Sequence, residues 1–363
     1  MESMNLRSRA LANCAVLLFL CASRGLAQTA NIVTGAGLRA PVPIRAAPGE
    51  LTTIFVEGIG AGLSKPIVAT SVPLPTELGG ITIELRQTVP PQEPITVPLL
   101  AVFPVYTCLK PDEAGCGRLT GINLQMPFEM IPWRTFGPVV IESRARVVVS
   151  ENGVPGAALE IIPIVDHIRI SRMGDTLNAL GESNTDPSPI AELFPLPPVV
   201  AHADGSLVTA TTPAKPGETL VLYAVGLGPT TPTIKSGEAA PVPAPSSYVA
   251  LRFDFSPDAG PSFARLVEPL LASVAASGGA SPNLQVGEMT PAFLTPGYVG
   301  LYQVNFAVPE PPAGYQNGCF QGALRSNITV SIGVLYSYDG AGICVEVPVG
   351  ASATSSTGPN VTR

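Results

Sequence analysis

Only two histidines, His167 and His202, occur in 363 residues, and that scarcity bounds the available chemistry. Imidazole is the usual proton carrier near neutral pH and the commonest metal ligand, so this chain has few ways to build a hydrolase or a transition-metal site. Asp166-His167 closes an apolar run and His202-Ala203-Asp204-Gly205 leads into a turn. A Ser-His-Asp site could be drawn from either pair, but no G-x-S-x-G elbow accompanies them, and triads are defined by geometry rather than order. Both histidines read as turn or surface residues, so no catalytic residue is assigned and no cofactor is expected. Gly58-Ile59-Gly60 and Gly226-Leu227-Gly228 lack the third glycine, lysine and following helix of a phosphate loop, and read as strand-end turns.

Three other residue sets could hold a ligand. Cys108, Cys116, Cys319 and Cys344 contain no C-x-x-C pair, which weighs against a four-cysteine zinc site and for two disulfides, Cys108 with Cys116 and Cys319 with Cys344. Asp175, Asn178, Glu182, Asn184 and Asp186 could offer oxygens to calcium, although their spacing departs from the D-x-[DN]-x-[DN]-G loop; a solvated linker is the rival reading, and no metal ligand is assigned. Trp133, the only tryptophan, is followed by Arg134 and Phe136. Exposed, this group could stack on a sugar or anchor a partner; buried, Trp133 would cap a core.

The elements that must carry these residues are β-strands. Short runs rich in Val, Ile, Leu and Thr recur between Pro, Gly and Asn, as at Leu51 to Val56, Leu220 to Val225 and Asn327 to Leu335, the pattern of β-sandwiches. Residues 48 to 60, PGELTTIFVEGIG, return 168 positions later at 216 to 228 as PGETLVLYAVGLG. A second pair, INLQMP at 122 to 127 and VNFAVP at 304 to 309, shares an asparagine and a closing proline at an offset of 182. The chain therefore carries one β-unit twice, the second copy longer by 182 − 168 = 14 residues between the two motifs, a surplus expected within a short helical insertion at 257 to 282. Asn152-Gly153 and Asp339-Gly340 both read as hairpin turns, because these residues tolerate positive φ. The expected division is a first unit at 28 to 173, a polar and Pro-rich connector at 174 to 198, a second unit at 199 to 349, and a tail at 350 to 363.

Arg7 and Arg9, the apolar run Ala15 to Ala22 and Gly25-Leu26-Ala27 have the order of a secretory signal cleaved after Ala27. Its removal would take Cys14 and Cys21 away, leave an even four cysteines in an exported chain, and shift the net charge from −7 to −9. A negative protein does not attract nucleic acid or acidic membrane surfaces. No membrane anchor is expected in the mature chain, and the expected location is periplasmic or extracellular. Charged residues make up only 13%, against about 25% in an average domain, which suits a folded, turn-rich chain.

Several stretches together resemble the Solibacter-type uncharacterised C-terminal domain family of secreted acidobacterial proteins: Asn31-Ile32-Val33 through Pro48-Gly49, Leu78 to Ile83, Ile122 to Pro127, Ala203 to Leu207, Pro213 to Gly217, Tyr223 to Gly228 and Pro296 to Asn305. The resemblance implies a bacterial protein of paired immunoglobulin-like units and supplies no activity or catalytic residues. The Cys108 to Cys116 loop, the insertion and the long connector depart from the family. The resulting expectation is an all-β, secreted, non-enzymatic binding or structural module of two tandem immunoglobulin-like β-sandwiches, with an extracellular protein or matrix partner. A carbohydrate-binding module using Trp133 and a secreted hydrolase are the alternatives.

Overall fold

The computed structural model describes residues 32–34, 43–106, 116–136, 139–173, 197–254, 284–285, 289–311, 327–332 and 337–346. All of its regular elements are strands. In the first half these are β1 (Ile32–Thr34), β2 (Ile44–Ala46), β3 (Leu51–Val56), β4 (Ile67–Val68), β5 (Glu77–Leu78), β6 (Ile81–Val89), β7 (Ile95–Thr96), β8 (Leu99–Tyr106), β9 (Arg118–Gln125), β10 (Arg134–Phe136), β11 (Val139–Ile141), β12 (Arg144–Glu151) and β13 (Val154–Pro163). The second half contributes β14 (Arg169–Ile170), β15 (Val200–Ala201), β16 (Thr219–Val225), β17 (Ser246–Asp254), β18 (Leu284–Gln285), β19 (Met289–Leu294), β20 (Tyr302–Ala307), β21 (Ile328–Ile332) and β22 (Ser337–Ala341). The expected insertion at 257 to 282 lies outside the described residues.

The first unit is a sandwich of a five-stranded sheet, β1-β3-β9-β8-β4, and a six-stranded sheet, β2-β13-β12-β6-β5 with β7 on β6. Side chains alternate across a strand, so β6 turns Ile81, Ile83 and Leu85 inward and β12 does the same with Ala145, Val147 and Val149. They meet Ile54, Val56, Ile122 and Leu124 of the opposite sheet in one core. The five-stranded sheet is apolar on its other face too, where Phe55, Ala101, Phe103 and Val105 form a smaller buried cluster. This is why Ile54-Phe55-Val56 reads as an unbroken apolar run rather than an alternating one.

The second unit is built differently at the level of sheets. Its strands form a single nine-stranded sheet, β14-β16-β20-β19-β17-β21-β22, with β15 on β16 and β18 on β17. The sheet curls around its own core of Leu220, Leu222, Leu294, Tyr302, Val304 and Val330 until its two ends meet. There the Ile170 backbone N–H donates to Asp339 Oδ2 at 2.8 Å, joining β14 to β22.

Despite that difference, the repeat holds to the residue. β3 pairs β9 with Thr53 opposite Asn123, and β16 pairs β20 with Val221 opposite Asn305, so the two sequence correspondences are hydrogen-bonded neighbours in the same register in both units. Gly49, Gly58 and Gly60 have φ of 75°, 76° and 71°, and their counterparts Gly217, Gly226 and Gly228 have 78°, 75° and 80°. The turns keep their bonds as well. Gly49 N–H donates to Met126 O at 2.9 Å where Gly217 N–H donates to Val308 O at 2.8 Å. These positions demand glycine because positive φ crowds a Cβ.

Two sequence expectations change. Asn152 (φ 50°) and Gly153 (φ 77°) do make the turn between β12 and β13. Asp339-Gly340 does not make one: both residues lie inside β22, paired with Val330 and Thr329, and Asp339 is buried. The passage between the two cores also falls earlier than the segment expected to connect them. β13 ends at Pro163, whereas Ile168 and Ile170 already belong to the second core and β14 pairs with β16. Residues 174–196 are outside the described part, but their flanks are bonded to each other, Met173 N–H to Pro197 O at 2.8 Å and Val199 N–H to Ser171 O at 2.7 Å. Residues 171–173 and 197–199 are therefore neighbours on the second unit. A protease site introduced within 174–196 should yield two pieces that still co-elute on a sizing column, because β14 stays paired with β16 across the cut. Separation into free halves would contradict this junction.

Candidate functional site

The polar side chains with the most specific geometry gather where the two units meet. The Pro-Gly-Glu turn before β3 places Glu50 there, and its carboxylate is shared: Oε2 accepts the Ala47 N–H at 2.8 Å and Oε1 lies 2.9 Å from His167 Nδ1. The Glu50 side chain is 5% exposed and that of His167 17%. The other ring nitrogen, Nε2, faces Arg169 Nη2 at 2.6 Å. A guanidinium has only donors, so Nε2 must accept and the proton must sit on Nδ1, donated to Glu50. His167 is thus a neutral imidazole with both nitrogens occupied, in a carboxylate–imidazole–guanidinium chain. A general base needs a free nitrogen within reach of a nucleophile's proton, and this ring holds its lone pair against Arg169.

Around that chain the junction is closed by a loop of the second unit. Gly237 N–H donates to the buried Gln125 Oε1 at 2.6 Å, Leu74 N–H to Gly237 O at 2.8 Å, and Phe128 N–H to Ser236 Oγ at 2.7 Å. Ser236 Oγ in turn donates to Glu129 Oε2 at 2.5 Å, and the Phe128 ring packs against the second core. The Gly226-Leu227-Gly228 turn completes the contact: His167 N–H donates to Gly226 O at 2.7 Å, and a Cβ on Gly228 would fall 2.0 Å from Val165 O. Burial raises the Tyr302 phenol above its ordinary value, which keeps its proton in place to donate to Gly228 O at 2.5 Å. These contacts form a joint, with hydrogen-bond partners supplied from both sides.

The second histidine has a matching carboxylate. His202 Nδ1 lies 2.5 Å from Glu218 Oε1, and Glu218 Oε2 accepts the Lys215 N–H at 2.9 Å. Glu218 stands 168 positions after Glu50 and Lys215 the same distance after Ala47, so the repeat carries its carboxylate seat with it. The shared Glu of the two Pro-Gly-Glu motifs was the available sequence signal; what each carboxylate would bind could not be read from it.

Trp133 is half-buried, and its backbone N–H donates to Pro163 O at 2.7 Å beside the end of β13. Arg134 and Phe136 lie on β10, which pairs with β11 through Arg134–Ile141 and Phe136–Val139. Cys344 is buried; Cys108 and Cys319, the expected partners of Cys116 and Cys344, lie like Asp175 to Asp186 outside the described residues. Asn327, which begins an Asn-Ile-Thr sequon, is buried with its amide bonded on both sides, Nδ2 to Ile343 O at 2.8 Å and Oδ1 from Ile343 N–H at 2.9 Å. Among the described residues no three His, Cys, Asp or Glu side chains group as a metal site, and no helix is long and apolar enough to cross a membrane. A recess of about 400 Å³ lies on the first unit, lined in part by Arg86, Arg146, Gly156 and Glu160. Its arginines are already paired, Arg86 with Glu84 and Arg146 with Glu160, both at 2.5 Å.

No protein-family model matches this chain, and no curated protein matches it. The resemblance to the Solibacter-type family rests on the stretches quoted from the sequence.

Proposed function

We propose that this protein is a secreted, non-enzymatic binding or structural module, belonging with the Solibacter-type immunoglobulin-like domains, that engages an extracellular protein or matrix component. The observation that carries the reading is the fate of the two histidines. Each is bonded at both ring nitrogens, and one of them is built into the joint between the units, so the chain's two imidazoles serve its architecture. Two β-units locked by side-chain and backbone hydrogen bonds present a fixed surface, which suits recognition by area rather than by a reactive pocket. The disulfides Cys108–Cys116 and Cys319–Cys344, an export signal ending at Ala27 and the negative charge belong to the same proposal.

A carbohydrate-binding role is the second reading, and the half-buried Trp133 favours it, since one face of the ring can remain open to a sugar. Tyr248 and Tyr298, 58% and 59% exposed, are further aromatic surfaces. The experiment is binding of the mature chain to native cell envelopes pretreated with protease or with glycosidases. Saturable binding that protease abolishes and Trp133→Ala leaves unchanged supports the protein-partner reading. Binding that glycosidases abolish and Trp133→Ala weakens replaces it with the carbohydrate reading. Turnover of generic ester, peptide or glycoside substrates by the purified chain overturns both.

A further inference from the structure

The two Pro-Gly-Glu carboxylates seat their histidines alike, but the far side of each ring differs. His167 Nε2 meets a donor, Arg169. His202 Nε2 meets an acceptor, the Thr212 carbonyl, at 3.2 Å, while its Nδ1 meets the Glu218 carboxylate at 2.5 Å. A neutral imidazole has one N–H and one lone pair, so it can satisfy only one of two acceptors. The His202 ring is matched to its site only when both nitrogens carry protons.

That ring ties together parts of a strap running from 202 to 215. At its root His202 N–H donates to Ser206 O at 2.8 Å and Gly205 N–H to His202 O at 2.9 Å. On its far limb Thr212 Oγ1 donates to Leu207 O at 2.8 Å, and the same residue's carbonyl receives the histidine. Glu218 anchors the whole to the turn that begins β16. We propose that His202 is a proton-operated clasp, pinning the Thr209 to Thr212 limb of the strap to the Pro-Gly-Glu turn of the second unit and releasing that limb on deprotonation, while Val208 and Ala214 stay in the second core. The corresponding turn of the first unit is covered, with a Cβ on Gly49 falling 2.1 Å from the Phe128 ring, whereas a Cβ on Gly217 would meet nothing within 4 Å. Release therefore bares a carboxylate on a turn whose twin is the docking point between the units.

The charged groups facing the clasp are Glu218 from the turn, Asp204 from the strap itself and Lys215 at the strap's end. The Glu218 hydrogen bond outweighs burial and raises His202 above its ordinary 6.5. Burial alone would raise Glu218, but the Lys215 N–H and His202 together hold it below its ordinary 4.5. A raised histidine contributes stability fully below 6.5 and loses it as pH climbs through the folded value; a depressed carboxylate contributes above 4.5 and loses it as pH falls through its own folded value. The strap is held best between those limits.

The test is an NMR titration of the full chain from pH 5 to 9.5, following the imidazole nitrogens together with exchange of the His202, Gly205 and Thr209 amides, the last bonded to Thr212 O at 3.0 Å, corrected for intrinsic rates. The expected result is a His202 ring doubly protonated past pH 6.5, with the strap's opening constant rising by up to about tenfold per pH unit above that point and levelling off beyond the folded pKa. His202→Gln, whose side chain does not titrate and offers one amide nitrogen in place of two separated ring nitrogens, should keep the fold and lose the pH step. A His202 that titrates at or below 6.5, or strap protection that ignores its titration, overturns the proposal. Should the variant fail to fold, the wild-type titration alone decides it.

Discussion

Asp339→Ala should destabilise the second unit by about 3–5 kcal/mol, the range for removing one partner of a buried ion pair. Asp339 is 1% exposed and Arg172 6%. Oδ2 accepts the Ile170 N–H at 2.8 Å, and Oδ1 accepts the Gly340 N–H at 2.9 Å and faces Arg172 Nη2 at 3.4 Å. Arg172 Nη2 also donates to Gly340 O at 2.7 Å. Truncation would remove the counter-charge of a buried guanidinium beside β22 and leave two backbone N–H groups without this acceptor, at the point where the curled sheet closes. Asp339→Asn should cost less, because the carboxamide oxygen can still accept one of those bonds. Urea denaturation monitored by circular dichroism reads both; a loss below about 1 kcal/mol for the alanine variant would show that β14 and β22 are held together by other means.

Gly226→Ala should cost more than 2 kcal/mol, while Gly217→Ala should cost about 1 kcal/mol, although both lie in the repeated motif at nearly the same positive φ. The shared part is the backbone strain of a side chain in the left-handed region, roughly 1–2 kcal/mol. The difference lies in the surroundings. A Cβ at Gly226 would sit 2.0 Å from the His167 carbonyl oxygen, which is backbone and already pinned across the joint, whereas Gly217 faces open space. Gly49→Ala should fall between them, because the Phe128 ring at 2.1 Å is a side chain that can turn aside, at the expense of its packing on the second core. Melting temperatures rank the three variants, and small-angle scattering should show the joint loosened in Gly226→Ala and Gly49→Ala only. Equal losses at Gly217 and Gly226 would mean that the joint is not rigid.

Much of the architecture was legible because it depends on local pattern. Glycine-bounded apolar runs gave strands, Asn152-Gly153 gave a turn, and the repeated motifs pointed to a duplicated unit whose register the structure reproduces from Thr53–Asn123 to Val221–Asn305. Asp339-Gly340 shows the limit. Its dipeptide favours a turn as strongly as Asn152-Gly153 does, but the Asp side chain gains more as a buried acceptor for Arg172 and Ile170 than as a turn residue, and those partners are 167 and 169 positions away. The passage between units was hidden for a similar reason: Ile168 and Ile170 look like the tail of a first-unit strand run until their partners on β16 are known.

The sequence by itself determined that this is an all-β chain built on one unit used twice, with a glutamate at the same place in each turn, because strand period, glycine φ requirements and internal repetition are properties of neighbouring residues. Only the tertiary structure decided what those glutamates do. Their partners come from other elements, His167 with its Arg169 donor across the joint and His202 with its Thr212 acceptor within the strap. Glu50 and His167 are 117 positions apart, so packing and not spacing along the chain seats that pair, even though the arginine on the ring's second nitrogen is only two residues on.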